Sequence, residues 1–159
     1  GLTFRYKKWS LRTSFTYRWD VDVVNSSRMA FENMSSFDNQ SVAVNWRWRK
    51  DGDDTQMPRA IYVYNDNSAY NYQGSSRYVE DGSFVRFQNL QVGYNFDPKQ
   101  LKKYGLNRLQ FYVTANNLFC WTRYSGVDPE IAIGGWGQAI DKSQTPRAKS
   151  FTANLNIGF

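Results

Sequence analysis

Residues 9–23 read WSLRTSFTYRWDVDV. Odd positions carry Trp9, Leu11, Thr13, Phe15, Tyr17, Trp19, Val21 and Val23. Even positions carry Ser10, Arg12, Ser14, Thr16, Arg18, Asp20 and Asp22. A period of two over this length predicts one extended strand, about residues 9–24, with an apolar face and a polar, charged face. At roughly 3.3 Å per residue it spans about 50 Å, far beyond the roughly 5–6 residues of a typical soluble strand.

Three further segments repeat the alternation. In 84–96, Leu90, Val92, Tyr94 and Phe96 oppose Asn89, Gln91, Gly93 and Asn95. In 107–122, Leu109, Phe111, Val113, Ala115, Phe119 and Trp121 share one face, interrupted by Asn117. In 150–159, Phe151, Ala153, Leu155, Ile157 and Phe159 oppose Ser150, Thr152, Asn154, Asn156 and Gly158. Leu2, Phe4 and Tyr6 are in phase as the end of a fifth strand. The links alternate between short (Lys7-Lys8 and 97–106) and long (about 25–82 and 123–149). Short turns on one side and long loops on the other are the pattern of a transmembrane β-barrel, periplasmic and extracellular respectively. The fold class expected is all-β: the last four to five antiparallel strands of a large barrel. Its long extracellular loops contain short helices. One runs from Asp38 to about Arg49, another covers Met29 to Met34, and a third opens at Asp97-Pro98 and stops at Gly105.

Composition agrees with alternating surfaces. Aromatics make up 18% of the 159 residues, yet mean hydropathy is −0.68. No apolar run is long enough for a helical span. His is absent and Cys120 is the single cysteine, which excludes His-dependent triads, Cys/His zinc sites and an internal disulfide. No G-x-S-x-G, P-loop or paired-acid motif occurs, so neither catalytic residues nor a cofactor is expected. The net charge of +6 permits nucleic acid, anionic lipid or acidic ligands without choosing among them. No charged-then-apolar leader opens the chain at Gly1.

Four or five strands laid flat leave two open edges, and each unpaired backbone group in a bilayer costs several kcal/mol. The smallest membrane barrels have about eight strands. The chain is therefore expected to be part of a larger barrel, completed by the same polypeptide or by other chains.

Certain residues carry a more specific resemblance. Glu80-Asp81-Gly82-Ser83-Phe84-Val85-Arg86 through Gly93-Tyr94-Asn95-Phe96 resembles the third-last strand of the SusC/RagA family of TonB-dependent outer-membrane nutrient transporters. Asn116-Asn117-Leu118-Phe119 with Trp121-Thr122 resembles the penultimate strand, and Gly126-Val127-Asp128-Pro129-Glu130 the loop after it. Pro146-Arg147, Phe151 and the terminal Asn156-Ile157-Gly158-Phe159 resemble the closing strand. Trp46 with Met57-Pro58-Arg59 resembles an upstream extracellular segment. The resemblance runs in order from about residue 1 to 159. It implies a barrel of about 22 strands with an N-terminal plug that is absent from this chain. It further implies energy from TonB through the missing N-terminal region, a SusD-like surface lipoprotein as lid, and oligosaccharide or oligopeptide cargo. The location it implies is the outer membrane of a Gram-negative bacterium, among lipid and lipopolysaccharide.

Particular residues then take expected roles. Arg12, Arg18, Asp20 and Asp22 face the lumen, as plug or cargo contacts or as a hydrated wall. Trp9, Trp19, Trp121, Tyr17 and Tyr94 form interfacial girdles, since amphipathic rings favour headgroup depth; the competing reading is cross-strand packing. Phe151, Leu155, Ile157 and Phe159 form a barrel-assembly signal, against an ordinary amphipathic last strand. Tyr62, Tyr64, Tyr70, Tyr72 and Trp136 lie in the long links, where flat rings can stack on sugars or pack against loops or a lid. Trp46-Arg47-Trp48-Arg49-Lys50 mixes basic and aromatic residues as nucleic-acid sites do. In an extracellular loop it reads instead as a solvated or lipopolysaccharide-facing patch, and no nucleic-acid partner is expected. Asp128 and Glu130 around Pro129 read as a turn and not as a calcium site, so no metal is expected. The alternative for the whole chain is a soluble all-β carbohydrate-binding module, which would bury its apolar faces between two sheets.

Overall fold

In a computed structural model the described residues are 1–35, 37–61, 71, 73–130 and 138–159. Five long strands pair side by side. They are β1 (Leu2–Tyr6), β2 (Trp9–Arg18), β5 (Phe84–Asn95), β6 (Arg108–Thr122) and β8 (Ser150–Gly158), in that order and all antiparallel. A second, three-stranded sheet orders β4 (Val79–Asp81), β3 (Asp22–Asn25) and β7 (Ile140–Asp141). The chain divides accordingly. A strand unit holds Gly1–Trp19, Ser83–Arg123 and Arg147–Phe159; a loop unit holds Asp20–Gly82 and Tyr124–Pro146.

Within the strand unit the register aligns like with like. Tyr6, Trp9, Tyr94, Phe111 and Leu155 fall in one row across the five strands. Phe4, Leu11, Val92, Val113 and Ala153 form the next, then Leu2, Thr13, Leu90, Ala115 and Phe151. The intervening rows are polar: Arg5–Ser10–Gly93–Tyr112–Asn154 and Thr3–Arg12–Gln91–Thr114–Thr152. The apolar face is bare. Trp9, Phe15, Phe111 and Leu155 are each 41% to 59% exposed, so no second layer of described residues covers them. Aromatic rings touch along it, with Phe15 stacked on Phe87 at 4.7 Å and Trp9 edge-on to Tyr94 at 4.9 Å.

Two irregularities shift the alternation. Ser14 pairs with Asn89 but Phe15 with Phe87, which leaves Gln88 unpaired as a bulge. On its other side β5 meets a matching irregularity in β6, where Asn117 is left-handed at φ 53°. The bulge flips β5. Leu90, Val92 and Tyr94 share the apolar face, and beyond Gln88 the odd residues Val85 and Phe87 join them. Phe84 and Arg86 turn to the other side and are buried.

The expected strand over 9–24 is shorter. β2 ends at Arg18, Asp20 takes a positive φ of 58°, and the chain leaves for the second sheet. Val23 becomes the fully buried centre of the loop unit, packed with Tyr124, Val21 and Ala139. Gly82 lies so close that a Cβ there would sit 2.3 Å from the Val23 side chain, and its amide donates to the Val21 carbonyl at 2.7 Å.

The short helices also differ in extent from expectation. Ser26–Glu32 form α1, capped by the Asn25 side chain, which accepts from the Arg28 amide. Between Asp38 and Arg49 only a 3-10 segment, Val42–Trp46, forms; Ser41 and not Asp38 caps it. Asp97 caps α2 (Pro98–Leu101), a 3-10 turn follows through Tyr104, and Gly105 ends it at φ 71°. No helix among the described residues is long and apolar enough to cross a membrane.

Candidate functional site

The polar face of the strand unit presents a recess of about 540 Å³. Its lining is Thr3, Arg5, Ser10, Arg12, Gln91, Asn95, Arg108, Gln110 and Tyr112. Every lining residue stands on a strand, so the sheet register holds the constellation. The Gln110 side-chain carbonyl accepts from Arg108 Nη2 at 2.7 Å and also from the Tyr112 hydroxyl. Further along the same face, the Asn89 amide donates to Asn116 at 2.8 Å, and Asn116 donates to Ser150 at 3.1 Å. This face is thus a ladder of amides, hydroxyls and guanidiniums.

Of the residues expected to face a lumen, Arg12 and Arg18 stand on this polar face of β2. Asp20 and Asp22 do not share their strand, because β2 has ended: Asp20 is in the turn and Asp22 opens β3 opposite Asp81. Arg5, Arg86 and Arg108 belong with Arg12 and Arg18 on the polar face. For Arg5 and Arg108 the period-two alternation was the available signal; Arg86 was hidden by the bulge. Tyr62, Tyr64, Tyr70, Tyr72 and Trp136 lie outside the described residues.

The loop unit is organised by charge as well as by its core. Glu32, buried, accepts from Arg28 Nε at 2.9 Å and from Arg77 Nη2 at 3.1 Å. Glu80 accepts from Arg28 at 3.1 Å, from the Ser125 amide and hydroxyl at 2.9 Å each, and from Asn25 at 3.3 Å. Burial alone would raise the Glu80 pKa. The hydrogen bonds from Ser125, Arg28 and Asn25 outweigh it and hold the carboxyl below its ordinary value. Tyr124 donates to Asp141 at 2.7 Å; burial first, then this bond, pushes the phenol up. These contacts tie α1, β4 and residue 125 together across 100 residues of sequence.

The remaining motifs are local structure. The Asp128 side chain accepts from the Glu130 amide at 3.0 Å and closes a turn. In 46–50, Arg47 and Arg49 donate to the Val44 and Asn45 carbonyls, and the Asp53 carboxylate accepts from the Arg49 and Lys50 amides. Cys120 is half-buried and not in a disulfide.

This arrangement of five registered strands with a bare apolar face has relatives. TonB-dependent receptor P3 of Formosa agariphila is 29% identical over 98% of this chain. TonB-dependent receptor P39 of the same organism is 33% identical over 73% of it. TonB-dependent receptor SusC of Bacteroides thetaiotaomicron is 31% identical over 54%. Solved structures of the RagAB peptide transporter superpose with a TM-score of 0.78 over 98% of the chain at 24% identity. The RagAB peptide importer in its 'closed-closed' state gives 0.78 at 25% identity over 97%. The chain belongs to the SusC/RagA family of TonB-dependent receptors. No protein-family model matches it. It spans 15% and 11% of the two Formosa receptors and 16% of the RagAB chain it matches. In these SusC/RagA-type strands the polar recess and the bare apolar face are opposite sides of one sheet.

Proposed function

We propose that this chain forms wall and extracellular loops of an outer-membrane, TonB-dependent nutrient importer of SusC type in a Gram-negative bacterium. One observation carries the reading: apolar side chains align across all five strands, and among the described residues no second layer packs on them. A two-sheet carbohydrate-binding module would bury such a face. Lipid accepts it without cost. From the Trp9–Tyr94–Phe111 row to Tyr17 and Trp121 is eight residues along β2. That is about 26 Å along the strand, or about 20 Å of membrane depth at a 40° tilt, close to a barrel's apolar band. The two aromatic rows then serve as girdles.

On this reading the polar face looks into a lumen, and the loop unit, inserted between β2 and β5 and between β6 and β8, lies outside the cell. β1 and β8 are the edges of the sheet and need partner strands, which a barrel of about 22 strands supplies. Residues 1–159 are then its C-terminal segment. The plug and the TonB-contacting region belong to the remainder, and a SusD-like lipoprotein covers the mouth. Oligosaccharides or oligopeptides are the cargo class. RagAB relatives described as peptide importers favour peptide. Tyr62, Tyr64, Tyr70, Tyr72 and Trp136 are offered as cargo contacts. Phe151, Leu155, Ile157 and Phe159, all on one flank of β8 or just past it and all exposed, are offered as the assembly signal.

Membrane fractionation of the native polypeptide, with heat-modifiable migration as the sign of a folded barrel, tests this. Recovery in the outer membrane as a heat-modifiable species is expected. Recovery as a compact monomer in the aqueous fraction overturns it.

A further inference from the structure

Lysine and arginine are sorted within the strand unit. The charged residues of its five strands are all arginine: Arg5, Arg12, Arg18, Arg86 and Arg108. Its lysines stand outside the strands, and five of the eight in the whole chain fall in the two short links: Lys7, Lys8, Lys99, Lys102 and Lys103. These links meet at one end of the sheet. The Asn95 amide donates to the Lys8 carbonyl at 2.8 Å, and the Lys8 ammonium lies 3.5 Å from Asp97, which is the one Asp or Glu in the strand unit. α2 buries Leu101 and leaves Lys99, Lys102 and Lys103 exposed; none of these three makes an ion pair with a described residue. Five ammonium groups thus crowd one end against a single, already engaged carboxylate.

The same end borders the last apolar row that crosses all five strands, Tyr6–Trp9–Tyr94–Phe111–Leu155. Tyr6 pairs with Trp9 around the Lys7-Lys8 turn, so the cations come directly after the rings. Lys7 Nζ rests 5.4 Å from the centre of the Tyr6 ring, which belongs to that apolar row. Rings of this kind favour headgroup depth in a bilayer, and long lysine stems lie along apolar surface while their heads reach water. An ammonium binds phosphate as a compact point charge and needs no fixed fork. A soluble anion would use the charge and leave the apolar flank idle; a phospholipid uses both.

We propose that Lys7, Lys8, Lys99, Lys102 and Lys103 form a rim that holds the phosphates of anionic phospholipids in the periplasmic leaflet, with the Tyr6–Trp9–Tyr94 rings at the boundary between headgroup and acyl chain. This rests on the barrel reading above, which puts the short links at the periplasmic interface. The long links, by contrast, carry a net acidic loop unit of 13 Asp and Glu against 7 Lys and Arg, so anionic lipid is drawn to the short-link end and not to the other. Each lysine near an anionic membrane surface strengthens binding roughly fivefold.

The test uses the native full-length polypeptide from the outer membrane, exchanged into an equimolar mixture of phosphatidylglycerol and phosphatidylcholine, with retained lipid counted by native mass spectrometry. Phosphatidylglycerol should be retained over phosphatidylcholine by roughly fivefold or more, and this preference should shrink at high salt. Lys7→Gln, Lys8→Gln, Lys102→Gln and Lys103→Gln together should abolish the preference with the heat-modifiable barrel unchanged in amount. The same four positions changed to Arg should keep it, and Arg49→Gln with Lys50→Gln, in the long link, should leave it intact. Equal retention of the two lipids by the unsubstituted protein overturns the proposal, and that comparison stands even where the four-Gln variant fails to assemble. A preference that survives the four Gln substitutions overturns it, as does one lost equally on changing Arg49 and Lys50. If the four-Gln variant keeps its phosphatidylglycerol but loses binding to isolated peptidoglycan, the rim serves a polymer and the proposal is overturned. A heat-modifiable barrel without lipid preference removes this proposal alone; no heat-modifiable species from the unsubstituted polypeptide removes the barrel reading with it.

Discussion

Asn117 is a single residue on which the register of two strands depends. At φ 53° it occupies the left-handed region, which costs an ordinary L-residue about 1–2 kcal/mol and Asn or Gly less. Its side-chain amide donates to the Ala148 carbonyl at 3.0 Å, so the chain entering β8 is fastened to the bulge. Asn117→Val, β-branched and unable to donate, should lose both and cost about 2–3 kcal/mol. Asn117→Gly should lose only the hydrogen bond, about 1 kcal/mol. Heat-modifiability midpoints of the two variants check this; Val equal to Gly would remove backbone strain from the account. In the sequence Asn117 was visible only as an interruption of the apolar face, because a left-handed conformation leaves no periodic trace.

Elements show where local pattern was sufficient and where it was not. β6 and β8 follow their alternation almost to the residue, since nothing competes with pairing on both sides of β6. β2 does not reach Val23: alternation continues through Trp19-Asp20-Val21-Asp22-Val23, but Val23 buries itself in another sheet. Period two reports that a face is apolar and is silent on which sheet receives it. Likewise the Asp38–Arg49 helix is cut short, because Arg47 bridges Met57 and Trp48 donates to the Met57 carbonyl, drawing the chain out extended. The charge network joining α1 to β4 was illegible, because Glu32, Glu80 and Ser125 meet only in the folded loop unit. Its pH response follows from Glu80. A carboxyl whose folded pKa is depressed stabilises above its unfolded value, about 4.3, and loses that contribution as pH falls through the lower folded value. The loop unit should thus loosen below about pH 4, seen as faster amide exchange at Ser125 and Arg28. Glu80→Gln should loosen it at neutral pH already and flatten that acid response; an unchanged acid transition in the variant would assign it to other groups. β8 makes a separate prediction. Deleting Phe159 from the complete polypeptide should lower its outer-membrane level severalfold if this flank guides assembly, whereas unchanged assembly would leave β8 as an ordinary strand.

At the scale of the molecule, two solvents meet at one sheet, and the claim is directional. Val113 and Thr114 are adjacent in β6 and point to opposite faces, Val113 in the apolar row with Leu11 and Val92, Thr114 in the polar row with Arg12 and Gln91. Both are mid-strand and paired on both sides, so the medium beyond each face is what the comparison reads. An arginine introduced on a lipid-facing position near the bilayer midplane costs about 2–4 kcal/mol, falling toward zero at the interfaces. Val113→Arg should therefore reduce the folded, heat-modifiable barrel strongly, and Thr114→Arg, which joins an already basic and hydrated wall, should leave most of it. A soluble sheet packed on a second layer would also reject Val113→Arg, so the control is depth. On β6, Leu109 and Trp121 lie on the same face as Val113 toward opposite ends, and arginine there should be tolerated better than at Val113. In a packed protein core the cost would follow burial and not distance from the strand centre. Equal loss at positions 109, 113 and 121 would mean that protein, and not lipid, lies against this face.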